Sequence, residues 1–342
     1  MPEGSLLVVS PNWLGDAVMA LPALADIRHH FADARLIVVA RRSVADLFRL
    51  VPGVDDVVTA EWQGTWWRRR ALEGDVTRLR DTGATTAILF PNSFASALAP
   101  NRAGIAVWGY ASDLRSRLLS RTVRRPKTPL HQGDYYRHLV RELGIATGSL
   151  EPMLSIPPAA VAEAQALLAE RGWDGISSLV ALAPGAAYGK AKQWPPSHVV
   201  RLATDLTHQS GSTCVLVGSR GDGDTTAAIR RAVPRECQPR VLDLAGATTL
   251  PVLAAVLSLS RACVSNDSGA MHLAAAAGAP VVAVFGPTDE RATRPLTRGG
   301  ARAEVVSAPV WCRPCMLREC PIDHRCMTRI EPRDVLAALS RV

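Results

Sequence analysis

The stretch VSNDSGAMHLAAAAGAPVVAVFGPT (264–288) decides the fold. Residues 269–286 are apolar enough to suggest a membrane span, which takes about 20 such residues. His272, Pro280 and several glycines argue against that reading. The stretch divides instead into a strand ending at Asn266-Asp267, a helix opened by Ser268-Gly269, and a second buried strand reaching Gly286-Pro287-Thr288. In the helix Met271, Leu273 and Ala274 face inward. A helix between two buried strands predicts a parallel α/β sheet.

Working outward, the same alternation occurs twice. Strands are expected near 5–10, 35–40, 55–59, 86–90 and 104–108, then again at 178–184, 213–219, 241–246, 262–267 and 280–286. Helices are expected at 133–145 and 196–209, with a final helix at 331–342 able to pack on either half. The restart predicts two doubly wound, Rossmann-like domains, 1–155 and 176–330, facing across a cleft. Ligands of such sheets bind at the carboxyl ends of the strands.

The composition suits a globular protein: 342 residues, 48% hydrophobic and 20% charged. A net charge of +8 and a pI near 9.5 favour acidic partners. Aromatics make up 5%, which argues against extensive base-stacking surfaces and so against nucleic acid. No basic n-region or small-residue cleavage site opens the chain, so a cytoplasmic location with reduced or metal-bound thiols is expected.

The turn after the first strand reads SPNWLGD, not G-x-G-x-x-G, and no Walker A loop occurs, which disfavours dehydrogenases and NTPases. LAPGAAYGKAKQWPPSHVV (182–200) ends a strand in Pro184-Gly185 and follows it with a small-residue loop carrying Lys190 and Lys192. Backbone N–H groups and an ammonium are what a diphosphate needs; the alternative is a solvated surface loop. Lys192 is favoured because Trp194 and Pro195 should anchor that end of the loop. Ser268 and Gly269 open a second anion site, where Asp267 grips sugar hydroxyls or merely caps the helix, and His272 follows one turn later.

PNWLGDAVMALPAL (11–24) places Asp16 at the end of the first strand. It reads either as an N-cap or as a general base on the acceptor side, away from an anionic donor. FPNSFASALAP (90–100) repeats the layout with Asn92, Ser93 and Ser96. The basic run 114–127, including Arg121 and Arg124, together with Arg68, Arg69 and Arg70, suits an acceptor bearing phosphates or carboxylates, or forms a solvated basic face. WCRPCMLRECPIDHRCM (311–327) spaces Cys312, Cys315, Cys320 and Cys326 as C-x₂-C-x₄-C-x₅-C, either a structural zinc or iron–sulfur site or a set of free thiols.

Together these motifs resemble, in order and nearly end to end, the ADP-heptose:lipopolysaccharide heptosyltransferases of glycosyltransferase family 9, and most of all their heptosyltransferase II branch. The resemblance implies a GT-B fold with the acceptor on the N-terminal domain and the nucleotide sugar on the C-terminal one. It implies inverting, metal-independent transfer of L-glycero-D-manno-heptose from ADP-heptose to the heptosyl-Kdo-lipid A inner core. The base would be Asp16, the phosphate-binding lysine Lys192, and the nucleotide-sugar contacts Gly185, Asp267, Ser268, Gly269 and His272. Asn92, Ser93, Ser96, Arg121 and Arg124 would meet the acceptor. The implied place of work is the cytosolic face of the inner membrane, in peripheral contact with it. Alternatives are another family 9 enzyme with a different acceptor, or a GT-B nucleotide-sugar epimerase. The epimerase would need further carboxylates and a His near the sugar C2, which the motifs do not supply. A basic nucleic-acid- or lipid-binding protein that has lost catalysis is disfavoured by the intact Asp16, Lys192 and Asp267 set.

Overall fold

The computed structural model describes residues 4–61, 69–112 and 114–342; Arg68 lies outside them. The chain forms two compact units, Met1–Ser155 and Ile156–Val342. The first contains β1 (Ser5–Val9), β2 (Arg35–Ala40), β3 (Asp56–Thr59), β4 (Ala84–Leu89), β5 (Ala106–Tyr110) and β6 (Arg121–Val123). The second contains β7 (Leu179–Ala183), β8 (Thr213–Leu216), β9 (Val241–Asp243), β10 (Ala262–Asn266), β11 (Val281–Phe285) and β12 (Ala303–Ser307).

Each unit is one six-stranded sheet, ordered β3-β2-β1-β4-β5-β6 and β12-β11-β10-β7-β8-β9. The neighbouring strands within each are parallel. The two orders are one topology: a unit's first strand lies beside its fourth, and the chain builds outward from that pair in both directions. This reversal leaves a crevice at the carboxyl ends of the central pair. Register levels those ends, with Val9 opposite Leu89 in one unit and Ala183 opposite Ser265 in the other.

Burial explains why the central strands form. LVALA, ACVSN and VVAVF are buried at every position, because helices cover both faces of a parallel sheet. Two of the four edge strands are different. β6 (RTV) exposes two of its three residues and every residue of β12 (AEVVS) is half-buried, so neither carries the apolar run by which a strand is recognised. Neither was expected from the sequence. β5 begins two residues later than expected, because the helix Phe94–Arg102 is followed by a turn through Gly104, whose φ of +82° favours glycine.

The helix Pro158–Glu170 packs on the helix Leu250–Leu259 within the second unit, and the terminal helix Pro332–Leu339 packs against β11, β12 and the helix Pro196–Gln209 of the same unit. Among the described residues, no helix is long and apolar enough to cross a membrane.

Candidate functional site

In the second unit the chain leaves β7 at Pro184-Gly185, beside the end of β10. Asn266, the last residue of β10, is 2% exposed and staples the loop that follows. Its Nδ2 donates to the carbonyls of Pro184 at 2.6 Å and Gly185 at 3.4 Å, and its Oδ1 accepts the Trp194 N–H at 3.1 Å. Trp194 is buried, and its indole N–H donates to the Ile330 carbonyl at 2.8 Å. It anchors the loop as its position suggested. A Cβ at Gly185 would run into the Asp222 carboxylate, which is itself held by the Ser219 N–H at 2.8 Å and hydroxyl at 2.6 Å.

Between these anchors a short 3-10 turn, Lys190–Lys192, presents the two lysines differently. Lys190 is exposed. The Lys192 ammonium lies 2.6 Å from Asp267 Oδ2, with the two side chains only 12% and 5% exposed. The same oxygen accepts the Thr288 hydroxyl at 2.6 Å. A largely buried ion pair with a hydroxyl on one of its oxygens is a fixed, polar, poorly hydrated centre, suited to orienting charged and hydroxyl-bearing groups. Asp267 does not cap the helix Gly269–Ala276; Ser268 occupies the cap position, without a side-chain capping bond. Gly269 starts the helix, and His272 in its first turn is 3% exposed.

The cysteine-rich segment lies against this loop and the one after β11. Ala191 N–H donates to the Arg318 carbonyl at 3.0 Å, and the N–H groups of Cys315 and Met316 both donate to the Pro287 carbonyl at 2.9 Å. Tyr188 OH donates to the Met316 carbonyl at 2.8 Å, and Arg313 Nε to that of Gly286 at 2.9 Å. His324 Nε2 lies 2.7 Å from the Ala191 carbonyl. Burial pushes the Cys326 thiol up to about 11, with Cys312, Cys320 and Cys315 adding to the shift in that order. Among the described residues, no three His, Cys, Asp or Glu side chains are grouped as they would be around a metal ion.

In the first unit Asp16 lies in the first turn of the helix Leu14–Met19, and the cap is Trp13. The N-cap reading of Asp16 therefore fails on position. Its carboxylate lies near Tyr136, whose phenol is pushed well above its ordinary value by burial first and by the Asp16 charge second. Beyond β4, Ser93 caps the helix Phe94–Arg102 by accepting the Ser96 N–H at 3.3 Å. Ser96, expected to meet a ligand, is wholly buried; its hydroxyl donates to the Ser93 carbonyl at 2.6 Å and accepts Arg115 Nη1 at 3.0 Å. It supports the loop from beneath. Asn92 is half-buried, and its Nδ2 donates to Tyr135 OH at 2.9 Å. Arg115, 0% exposed, also donates to the Pro91 carbonyl and, through Nε at 2.9 Å, to that of Tyr110. Arg121 and Arg124 are exposed on and just after the edge strand β6, two strands from β4; Arg121 lies 5.2 Å from the Trp108 ring.

Gly185, Lys192, Asp267 and Ser268 thus gather at the β7–β10 crevice, and Asp16, Asn92 and Ser93 at the β1–β4 crevice. Arg121 and Arg124, on and just after the edge strand β6, are not part of the β1–β4 group. The sequence reading missed Asn266 and Thr288, whose contacts join segments distant in the chain and leave no local signal, and counted Arg115 in a basic run although it is wholly buried.

Comparison with known proteins gives the family of the chain. Residues 76–325 match the model of glycosyltransferase family 9 (heptosyltransferase). The lipopolysaccharide heptosyltransferase 2 of Salmonella typhimurium is 31% identical over 304 residues, 85% of each chain. The lipooligosaccharide heptosyltransferase 2 of Haemophilus influenzae is 30% identical over 312 residues, 86% of each. Among solved structures, the ADP-heptose lipopolysaccharide heptosyltransferase II of E. coli superposes with a TM-score of 0.84 at 27% identity, covering 98% of both chains.

Proposed function

The chain belongs to glycosyltransferase family 9, the heptosyltransferases, and from that premise we propose that it moves heptose from ADP-heptose onto the heptosyl-Kdo-lipid A inner core of lipopolysaccharide. The second unit takes the donor and the first the acceptor. The observation that carries this reading is the Lys192–Asp267 pair, 2.6 Å apart where β7 and β10 end, with Thr288 on the same carboxylate oxygen.

In this mechanism Asp16 removes the proton from an acceptor hydroxyl as that oxygen attacks the anomeric carbon of the heptose. The bond from that carbon to the β-phosphate oxygen breaks on the opposite face, so configuration inverts, and ADP departs with the electron pair. Lys192 stabilises the charge that develops on the diphosphate, with the amides at Ser268 and Gly269 beside it. Asp267 aligns the ammonium and the sugar hydroxyls, Thr288 fixes the carboxylate, and His272 supports the turn. Asn92 and Ser93 hold the acceptor sugar, while Arg121 and Arg124 meet its anionic groups and bring the chain into peripheral contact with the membrane that carries it. The transfer proceeds without a divalent metal.

The test is turnover of ADP-heptose with two acceptors, mono-heptosylated and heptose-free Kdo–lipid A, each with and without chelator. Turnover confined to the mono-heptosylated acceptor and indifferent to EDTA is expected. Preference for the heptose-free acceptor would reassign the enzyme within the family, and loss of activity on chelation would overturn the metal-free step.

A further inference from the structure

The segment 311–327 has no part in that mechanism, yet it is bonded to both loops of the donor crevice, and it brings a second cation there. We propose that Arg318 is a diphosphate-binding residue that shares the donor's charge with Lys192. The inference rests on the donor reading above.

Lys192 alone is a weak anion site. Its ammonium stands 2.6 Å from the Asp267 carboxylate, so an approaching diphosphate meets a pair with no net charge. Arg318 differs: its side chain is exposed, and among the described residues it takes part in no ion pair. The two cations share one aromatic ring, with Lys192 Nζ 4.7 Å and the Arg318 guanidinium carbon 5.2 Å from the Tyr188 centroid.

The main chain beneath Arg318 is fixed. Its carbonyl accepts the Ala191 N–H at 3.0 Å, and two residues earlier the Met316 carbonyl accepts Tyr188 OH at 2.8 Å. Gly189 permits this approach, since a Cβ there would strike the Arg318 carbonyl and come within 2.9 Å of its Cβ. A guanidinium on an anchored backbone, held over a ring and open to solvent, keeps its fork of N–H donors for two phosphate oxygens. When the glycosidic bond breaks, the diphosphate gains a negative charge, and Arg318 stabilises it alongside Lys192.

The experiment compares full-length wild type, Arg318→Gln and Arg318→Lys, using calorimetric titration with ADP and with adenosine and a melting curve for each protein. Arg318→Gln is expected to bind ADP about tenfold to a hundredfold more weakly, as loss of a charge-assisted hydrogen bond implies. Adenosine affinity and melting temperature stay unchanged, Arg318→Lys recovers part of the loss, and the ADP affinity of Arg318→Gln depends less on salt than that of wild type. Equal ADP affinity in wild type and Arg318→Gln overturns the inference alone, and so do equal losses for ADP and adenosine. Failure of the wild type to bind ADP overturns the donor reading and this inference with it.

Discussion

Asp16 stands three residues past Trp13, the residue that caps its helix, at the carboxyl end of the first strand of its unit. Aspartate is common at a cap, so a position one turn inside calls for another reason, and the proposed base role supplies one. Asp16→Asn keeps the size of the side chain and removes its basicity. We expect kcat to fall roughly 10²- to 10⁴-fold, the usual range for a general base, with ADP-heptose affinity nearly unchanged; calorimetry beside steady-state turnover measures both. Normal turnover would return Asp16 to a structural role. Asp16, Lys192 and Asp267 were legible in the sequence because each follows an apolar run at a turn, where a charged residue stands out. Thr288 and Arg318 were not. Each matters through partners far along the chain, Asp267 for the first and Tyr188 for the second.

Helices as well as side chains are tied in the first unit. Asp26 on the helix Leu21–His30 accepts Arg137 Nε of the helix Gln132–Glu142 at 3.2 Å and the Gly148 N–H at 2.7 Å. The ion-paired side chains are 6% and 9% exposed. The second of these helices also carries Tyr135, which holds Asn92, and Tyr136, which senses the charge of Asp16. Asp26→Ala leaves a buried guanidinium without its carboxylate and should cost about 3–5 kcal/mol of stability, read by urea unfolding. A loss below 1 kcal/mol would show that the guanidinium finds other acceptors. The central strands and the edge strands β3 and β9 could be read from their apolar residues, whereas β6 and β12 could not, because they pair with a neighbour's backbone without an apolar run of their own. The basic run read as an acceptor surface turned out to contain β6 and the wholly buried Arg115. A count of charges does not distinguish a solvated arginine from one that underpins a loop.

At the scale of the molecule, all seven cysteines lie in the second unit. Burial pushes Cys214 and Cys263 up to about 12 and Cys326 to about 11, from an ordinary 9.0. Below pH 9 these thiols are protonated whether the chain is folded or not. As pH rises past 9 the unfolded chain releases its protons first, so stability is lost progressively until the folded thiols titrate in turn. In the first unit, burial raises Tyr110 and Tyr136 from an ordinary 10.0, so its own loss starts only above pH 10. Calorimetric scans between pH 9 and 10 should show the transition of the second unit falling ahead of that of the first, with a smaller slope in Cys263→Ala; parallel movement of both would refute this. The shared strand order has a longer consequence. One half-sized ancestor, copied and fused, would yield two sheets with the same crevice between first and fourth strands. Selection could then furnish one copy for a nucleotide and the other for a growing glycan, and each could diverge on its own. A lineage can in this way exchange the sugar chain it extends while inheriting its nucleotide chemistry intact.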